Sequence, residues 1–310
     1  RIMDSDAALT LPDVPGSLLV VGGGYIGLEL GTVYAALGSR VSVVEMTSGL
    51  LPGVDRDLVE FLAHRVKSRL EAVWTDTKVI AIQPRDDGVN VQMTGQPDRT
   101  FDRVLVAVGR RPASADLGLE NTKVQTDERG FIRTDRHRRT DEPSVFAIGD
   151  VAGEPMLAHK ATYEARIAVE TIAEGPDSPA AFDPQAIPAV VFTDPEVAWA
   201  GLTEEQARGA GRPFKIARFP WLASGRATTL DRNDGLTKLV LDPLTERVLG
   251  VGSVGVNAGE LLAEGVLAVE MGARADDLMM TIHAHPTLSE TVMEAAEVYY
   301  GHSPNYVTGK

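Results

Sequence analysis

Short apolar runs and helically spaced apolar residues alternate along the first hundred positions. The runs Ser17–Val21 and Arg40–Val44 are typical of strands that a parallel sheet buries on both faces. Between them, apolar residues recur at helical spacing over residues 26–37, and Gly38 follows where a helix C-terminal cap is expected. The order of strand, turn, helix and strand predicts one βαβ unit.

The remaining pattern predicts further elements in three groups. The first group is a helix over residues 54–70 and strands over 77–82, 89–93 and 103–108. The second is a pair of short strands over 131–134 and 145–148 with a helix over 159–173. The third follows a linker at 175–179, with strands over 189–192, 215–219, 236–241 and 248–254 and helices over 203–210, 258–271 and 287–300. The third group predicts a separate α+β domain.

Composition narrows the class of protein. A chain of 310 residues is long for one hydrophobic core, and 44% hydrophobic with 24% charged residues is typical of a globular protein. The net charge of -14 argues against nucleic acid as a partner, and no apolar run approaches the roughly 18 to 20 residues of a membrane-spanning helix. With no cysteine, the chain contains no disulfide, thiolate metal site or thiol nucleophile, and we expect no metal.

The turn after the first strand has the pattern G-x-G-x-x-G at Gly22, Gly24 and Gly27. Such glycines permit a tight turn, close approach of the main chain to a pyrophosphate and close packing of helix on strand. Glu45 ends the next strand, where a carboxylate can accept hydrogen bonds from a ribose 2′-hydroxyl and would repel a 2′-phosphate. The pattern therefore predicts a site for NAD rather than NADP, and the alternative is a structural turn with a surface glutamate.

Two later segments carry candidate polar groups. Asp150 follows the apolar run 145–148, at a strand end where it could bind sugar hydroxyls, although a turn or N-cap aspartate fits equally well. Near the C-terminus, Pro286 suits a first helical turn and places His285 just outside the helix and Glu290 in its second turn. Glu290 could then accept the Nδ1–H of His285 and orient a general base, the alternative being surface or capping histidines.

Five ordered segments together resemble the dihydrolipoyl dehydrogenases of the disulfide oxidoreductase family, and the resemblance covers the whole chain. The segments are GGGYIGLE (22–29), VAVGRRP (106–112), FAIGDVAGEPMLAHKA (146–161), VVFTDPEVAWAGLTEEQA (190–207) and HAHPTLSE (283–290). The fold implied by the resemblance is α/β, with a Rossmann-like NAD-binding domain over 1–118, the remnant of an FAD-binding domain over 119–185 and an α+β dimerisation domain over 186–310.

The resemblance also implies site residues. The family's NAD-binding positions correspond here to Gly22, Gly23, Gly24, Tyr25, Ile26, Gly27, Leu28, Glu29, Glu45, Val79 and Gly109. Its FAD-binding positions correspond to Asp150, Met156, Leu157, Ala158 and His159. His285 corresponds to the catalytic base and Glu290 to its orienting partner.

The activity that the resemblance implies is oxidation of protein-bound dihydrolipoamide with reduction of NAD, by way of a cysteine pair and FAD. The implied assembly is a homodimer in which each subunit's His serves the other's disulfide. The implied partners are the lipoyl domains and the acyltransferase core of 2-oxo acid dehydrogenase complexes. A bacterial cytoplasmic location is expected, with the mitochondrial matrix as the alternative.

The chain departs from the family in one respect. The family begins with an FAD-binding domain that carries its own glycine fingerprint and the redox pair C-x-x-x-x-C, and neither occurs in these 310 residues. We therefore expect the C-terminal two-thirds of such an enzyme, inactive by itself but able to bind NAD and dimerise. The alternatives are relatives of soluble transhydrogenase, mercuric reductase or glutathione reductase. The absence of a C-terminal cysteine pair argues against a relative of mercuric reductase, and Glu45 argues against NADP-dependent reductases.

Overall fold

The computed structural model describes residues 1–307, which divide into two compact units. One unit contains Arg1–Gly109 together with the chain from Pro188 onward, and the other is Arg110–Ile187. The strands are β1 (Ile2–Met3), β2 (Ser17–Val21), β3 (Arg40–Val44), β4 (Ala72–Trp74), β5 (Val79–Arg85), β6 (Gly88–Met93), β7 (Arg99–Phe101), β8 (Arg103–Val106), β9 (Ala189–Val191), β10 (Glu196–Gly201), β11 (Lys215–Pro220), β12 (Leu236–Leu241) and β13 (Val248–Gly255). The helices are α1 (Ser5–Leu9), α2 (Tyr25–Ala36), α3 (Arg56–Arg69), α4 (Ala158–Glu174), α5 (Glu204–Gly209), α6 (Gly225–Thr229), α7 (Ala258–Met271), α8 (Ala275–Met280) and α9 (Glu290–Tyr300). Within residues 1–307, no helix is both long and apolar enough to cross a bilayer.

A parallel sheet forms the centre of the N-terminal part of the first unit. Its strand order is β1-β8-β2-β3-β4, and the unit β2-α2-β3 is the βαβ unit that the apolar pattern predicts. Leu18, Leu19 and Val20 on β2 are fully buried, because other elements cover both faces of the sheet. A second, antiparallel sheet of order β5-β6-β7 contributes Val89 and Val91 to an apolar cluster with Leu19. The predicted strand over 77–82 is shifted, since β5 begins at Val79.

The C-terminal part of the first unit contains an antiparallel sheet of order β11-β12-β13-β10-β9, with α7 and α9 packed against it. This arrangement agrees with the predicted α+β character of that region. Strand β10 is not predicted by the apolar pattern, because alanine and glycine dilute it. Five residues of β10 pair with β13 beyond Glu196, and its Trp199 lies opposite Gly252.

A buried lysine connects α3 to this antiparallel sheet. Lys238 lies on β12 and is 1% exposed, and its Nζ lies 2.8 Å from Asp55 Oδ2, 2.9 Å from Asp57 Oδ1 and 2.6 Å from Glu204 Oε1. Arg218 on β11 also pairs with both Asp57 and Glu204. Asp55 in addition accepts the main-chain N–H of Glu204 at 3.2 Å. The N-terminus of α3 is therefore attached to β12 and α5 through charged groups.

The ammonium group of Lys238 occupies the place that a cation would take among these carboxylates. Asp55, Asp57 and Glu204 have the mutual spacing of metal ligands. Burial acts to raise the pKa of Asp57, but the positive charges of Lys238 and Arg218 outweigh burial and lower it. Asp57 is therefore an ionised partner in a buried ion cluster.

The second unit contains α4 and little other regular structure. The predicted strands over 131–134 and 145–148 are wrong, because within this unit those segments form only isolated bridges, from Thr126 to Ile132 and from Arg139 to Phe146. The predicted helix over 159–173 is confirmed as α4. Apolar runs of four residues predict burial here, and Ile132 and Ala147 are indeed buried, but no neighbouring strand pairs with them.

The last helix begins later than its sequence pattern predicts. Helix α9 starts at Glu290, which lies in its first turn, and Pro286 lies outside the helix. The expected placement of Glu290 in the second turn is wrong. Main-chain hydrogen bonds from Thr291 to Leu288 and from Val292 to Ser289 close a tight bend immediately before the helix.

We expect Lys238→Met to lower the free energy of unfolding by about 3 to 5 kcal/mol, because it leaves the buried Asp55 without its cationic partner and leaves Arg218 to pair with Asp57 and Glu204. Urea denaturation followed by circular dichroism gives the free energy of unfolding of wild type and of each variant. Lys67→Met on the exposed surface of α3 is the control, with an expected change within about 0.5 kcal/mol. Equal stability of the two variants would contradict a stabilising role for the ion cluster.

Candidate functional site

The glycine-rich turn joins β2 to α2, and main-chain atoms fill the space at two of its positions. A Cβ atom on Gly22 would collide with the carbonyl oxygen of Ala107, and one on Gly27 with the carbonyl oxygen of Gly22. At Gly24 a Cβ would meet nothing within 4 Å, so the space in front of the N-terminus of α2 is open. A helix N-terminus with open space before it can bind an anion such as a pyrophosphate.

Glu45 follows β3, and its buried carboxylate is oriented by two main-chain donors. Its Oε2 accepts the N–H of Gly23 at 2.7 Å, and its Oε1 accepts the N–H of Thr47 at 2.8 Å. Each carboxylate oxygen has two lone pairs, so both can accept a further hydrogen bond. The structure thus brings the turn and Glu45 together as the sequence spacing predicts.

The other predicted NAD positions lie in different environments. Tyr25 begins α2 and is 39% exposed, whereas the side chain of Leu28 is fully buried in the core. Ile26 is half-buried between them. Val79 packs at the start of β5, and Gly109 follows β8 with open space at its Cβ position and a φ of 133°. Of these residues, only Tyr25 exposes its side chain beside the open end of α2.

Glu29 makes a contact that the sequence does not predict. Its Oε1 accepts the main-chain N–H of Phe192 at 2.8 Å, so this predicted NAD-binding residue joins α2 to the chain just after β9. Burial raises the pKa of Glu29, and the hydrogen bond from Phe192 opposes that shift.

The predicted FAD positions lie around a short 3-10 turn in the second unit. Asp150 belongs to the turn Gly149–Ala152, and its Oδ2 lies 2.6 Å from Arg110 Nη2. Arg110 also contacts the carbonyl oxygen of Met156, at 3.4 Å. Leu157 is the N-cap position of α4, and Ala158 with the exposed His159 opens the helix. Sequence reasoning missed Arg110, although it lies within the segment VAVGRRP.

A second group of buried ions, around Glu164 on α4, holds the turn Gly149–Ala152 in place. Glu164 is fully buried, its Oε2 accepts the N–H of Gly149 at 2.6 Å, and its Oε1 pairs with Lys160 at 3.1 Å and Arg138 at 2.9 Å. Lys160 also donates to the carbonyl oxygens of Gly149 and Gly153. These charged residues were not predicted, because nothing in their spacing distinguishes them from solvated surface residues.

His285 and Glu290 meet as their spacing predicts. The Nδ1 of His285 lies 2.9 Å from Glu290 Oε1, and Glu290 Oε2 accepts the N–H of Thr287 at 2.6 Å. The His285 side chain is 78% exposed and that of Glu290 is 17% exposed. His283, by contrast, is buried, with its Nε2 at 2.8 Å from Glu264 Oε1. Of the two histidines, His285 is therefore the one that can reach a ligand.

A buried hydroxyl chain supports the start of α9. Trp221 donates its indole N–H to Thr237 Oγ1 at 2.9 Å, and that hydroxyl lies 2.8 Å from Thr291 Oγ1. Thr291 donates in turn to the carbonyl oxygen of Leu288 at 2.7 Å. The residue next to Glu290 is thus fixed to the sheet, and this limits the movement of the His285–Glu290 pair.

The fold and these sites define a class of protein. The family model described as pyridine nucleotide-disulphide oxidoreductase matches residues 1–165, and the model of that family's dimerisation domain matches residues 187–296. The chain belongs to the pyridine nucleotide-disulphide oxidoreductases.

Within this family, the chain is similar to proteins named dihydrolipoyl dehydrogenase. The protein of that name from Vibrio cholerae is 49% identical over 306 residues, which cover 97% of this chain and 63% of the relative. That from Haemophilus influenzae is 47% identical, with the same coverage. The chain therefore spans about 63% of the length of these curated relatives. Among solved structures, the HOCl-induced flavoprotein disulfide reductase RclA from Escherichia coli is similar, with a TM-score of 0.87 and 30% identity over 96% of this chain and 68% of that one.

Two glycine variants distinguish the open position at Gly24, where a ligand could lie, from the position at Gly27, which is packed against main-chain atoms. We expect Gly24→Ala to weaken NAD binding by about tenfold or more while costing at most about 1 kcal/mol of stability, since its methyl group would enter only the open space. Gly27→Ala should instead lower stability by about 1 to 3 kcal/mol, because its methyl group meets main-chain atoms. Calorimetric titration with NAD and thermal unfolding measure the two effects. Unchanged NAD affinity in Gly24→Ala would place the cofactor elsewhere.

Proposed function

We propose that this chain supplies the NAD-binding and acid–base parts of a dihydrolipoyl dehydrogenase. Such an enzyme oxidises protein-bound dihydrolipoamide and reduces NAD. The observation that carries the proposal is the exposed His285 ring held at Nδ1 by Glu290. The similarity to proteins named dihydrolipoyl dehydrogenase over 97% of the chain supports the choice of substrate. The lipoyl domains and acyltransferase core of 2-oxo acid dehydrogenase complexes are then the proposed partners.

The acid–base chemistry follows from the two ring nitrogens of the histidine. With the proton on Nδ1 directed at Glu290, the Nε2 of His285 is unprotonated and can take a proton from a thiol of the dihydrolipoyl group. The carboxylate of Glu290 then stabilises the imidazolium ion that results. Because Glu290 also accepts the N–H of Thr287, its orientation does not depend on the histidine.

NAD fits the first unit in two respects. Its pyrophosphate would lie at the open N-terminus of α2, before Gly24, and its adenosine ribose would donate to the carboxylate of Glu45. That carboxylate is buried, so a 2′-phosphate beside it would meet an unscreened negative charge. This supports NAD rather than NADP as the acceptor.

For FAD, the residues of this chain would contribute one part of the site. Asp150 would accept from sugar hydroxyls, and the segment Met156–His159 would present the N-terminus of α4, whose first turn carries no acidic residue. When bound, the flavin passes electrons from a cysteine pair to NAD. The chain contains no cysteine, so we place that pair in a part of the enzyme outside these 310 residues. The chain alone is expected to bind NAD without oxidising dithiols.

We also propose a homodimer. Several large apolar side chains in the region matched by the dimerisation model are more than 60% exposed, and a region rich in exposed apolar side chains is a candidate interface. They are Phe192, Leu222, Leu267, Met271, Met280 and Ile282. Ile282 is 96% exposed and lies three residues before His285, which supports placing the histidine beside a second subunit.

Ile282→Glu should convert the dimer to a monomer, because it would bury a carboxylate in an apolar interface. Analytical ultracentrifugation of the 310-residue chain measures the change. Ile80→Glu, on the exposed side of β5, is the matched control and should remain a dimer. A dimer that survives Ile282→Glu would place the interface on another surface.

In the complete enzyme, His285→Gln should lower the rate of dihydrolipoamide oxidation by about 10²- to 10⁴-fold, the range for loss of a general base. Glu290→Gln should cause a smaller loss. NAD affinity should stay near the wild-type value in both variants, because neither residue belongs to the nucleotide site. His64→Gln on the exposed surface of α3 is the control. Stopped-flow measurement of enzyme reduction by dihydrolipoamide gives the rate. Normal turnover of His285→Gln would contradict the assignment of His285 as the general base.

A further inference from the structure

The loop between β3 and α3, residues 46–55, lies directly against the glycine-rich turn. Its Leu51 donates its main-chain N–H to the carbonyl oxygen of Gly23 at 2.9 Å. Leu51 has a φ of 48° and Gly53 a φ of 85°, so the loop contains two residues with left-handed backbone, one of them not glycine. A leucine in that region is strained and must be held by its surroundings.

One arginine holds this loop through main-chain carbonyl groups. Arg56, the first residue of α3, donates from Nη1 to Leu50 O at 2.8 Å and from Nη2 to Leu51 O at 2.5 Å. Its Nε and Nη2 also donate to Val54 O, at 3.0 and 2.5 Å. The planar guanidinium group serves three acceptors at once, which a lysine ammonium on a flexible stem cannot do in the same geometry.

The contacts form a continuous path from Arg56 to the ribose carboxylate. Arg56 Nη1 donates to the carbonyl oxygen of Leu50, and the N–H of the same peptide group, on Leu51, donates to the carbonyl oxygen of Gly23. The N–H of the same Gly23 donates to Glu45 Oε2. The loop also reaches Glu45 directly, because Thr47 donates its N–H to Oε1. One donor that orients Glu45 thus belongs to Gly23, which the Arg56 contacts reach through Leu51, and the other belongs to Thr47 in the same loop.

We propose that Arg56 is a positioning residue for the adenosine ribose of NAD, acting through the loop and the turn on Glu45. The inference rests on the proposed NAD site at Glu45. Arg56 itself does not contact the nucleotide. Arg56 keeps the carboxylate in the orientation that accepts a ribose hydroxyl. Less conformational entropy is then lost when NAD binds, and the affinity for NAD is higher.

The test compares NAD with 2′-deoxy-NAD, in which the adenosine ribose lacks its 2′-hydroxyl. Calorimetric titration of the 310-residue chain gives the ratio of the two dissociation constants for wild type, Arg56→Met, Arg56→Lys and Glu45→Gln. The matched control is Arg85→Met, at the exposed end of β5. Thermal unfolding of each variant shows whether it is folded. If Arg56→Met does not fold, the ratio of dissociation constants for Arg56→Lys is compared with that of wild type instead.

We expect wild type and Arg85→Met to prefer NAD by about tenfold, and Glu45→Gln to lose most of that preference. Arg56→Met should lose NAD affinity by about five- to tenfold with little loss for 2′-deoxy-NAD, and Arg56→Lys should be intermediate. An unchanged preference in both Arg56 variants, or equal weakening of both ligands, would overturn the positioning role. Wild-type protein that does not bind NAD would instead overturn the proposed NAD site itself.

Discussion

Contact between main-chain atoms at the glycine-rich turn is the constraint on which the proposed NAD site depends. The Cα of Gly22 lies against the carbonyl of Ala107, and the Cα of Gly27 lies against the carbonyl of Gly22. A side chain on Gly22 would push the turn away from the chain that follows β8, and one on Gly27 would push α2 away from β2. The open N-terminus of α2 and the hydrogen bond from Gly23 to Glu45 both require α2 to stay close to the sheet.

The start of α3 depends on a second constraint, which is electrostatic. Three consecutive residues there have two kinds of partner: Asp55 and Asp57 bind the buried Lys238, while Arg56 between them binds loop carbonyls. Buried ions gain little net stability over apolar side chains but are costly to leave unpaired, so such a cluster favours one arrangement over alternatives. The first turn of α3 therefore contacts the loop at residues 46–55 on one side and the antiparallel sheet on the other.

The sequence predicts the elements that have strong periodicity. The unit from β2 to β3, the helix α4 and the long helix α7 all lie where apolar spacing predicts them. His285 and Glu290 meet as expected, although Glu290 lies in the first turn of its helix and not in the second. The predicted strands in the second unit are wrong for a physical reason. An apolar run indicates burial, but a strand also needs a partner for its main-chain hydrogen bonds, and no paired strand is available to those segments within the unit.

Residues that act through contacts distant in sequence could not be predicted in the same way. Arg56 makes local contacts, but its importance depends on Gly23, 33 residues earlier, and Lys238 meets Asp57 across 181 residues. Charged residues at such positions have the same local pattern as solvated ones. Only the folded arrangement distinguishes Arg110, which pairs with Asp150, from the adjacent Arg111.

Three carboxylates share an arrangement that explains why glutamate occurs at these positions. In Glu290 and Glu164, one carboxylate oxygen accepts a main-chain N–H, from Thr287 and Gly149 respectively, and in Glu45 both oxygens do so, from Gly23 and Thr47. The other oxygen of Glu290 binds the ring of His285, and that of Glu164 binds two cations. An amide side chain has only one oxygen, so a glutamine that accepts the main-chain N–H has only an NH2 donor left, which cannot accept from the Nδ1–H of a histidine or bind a cation. Glu290 thus fixes the ring of His285, and Glu164 fixes two cations, relative to a particular main-chain N–H group. The positions of these side chains therefore follow from the path of the main chain.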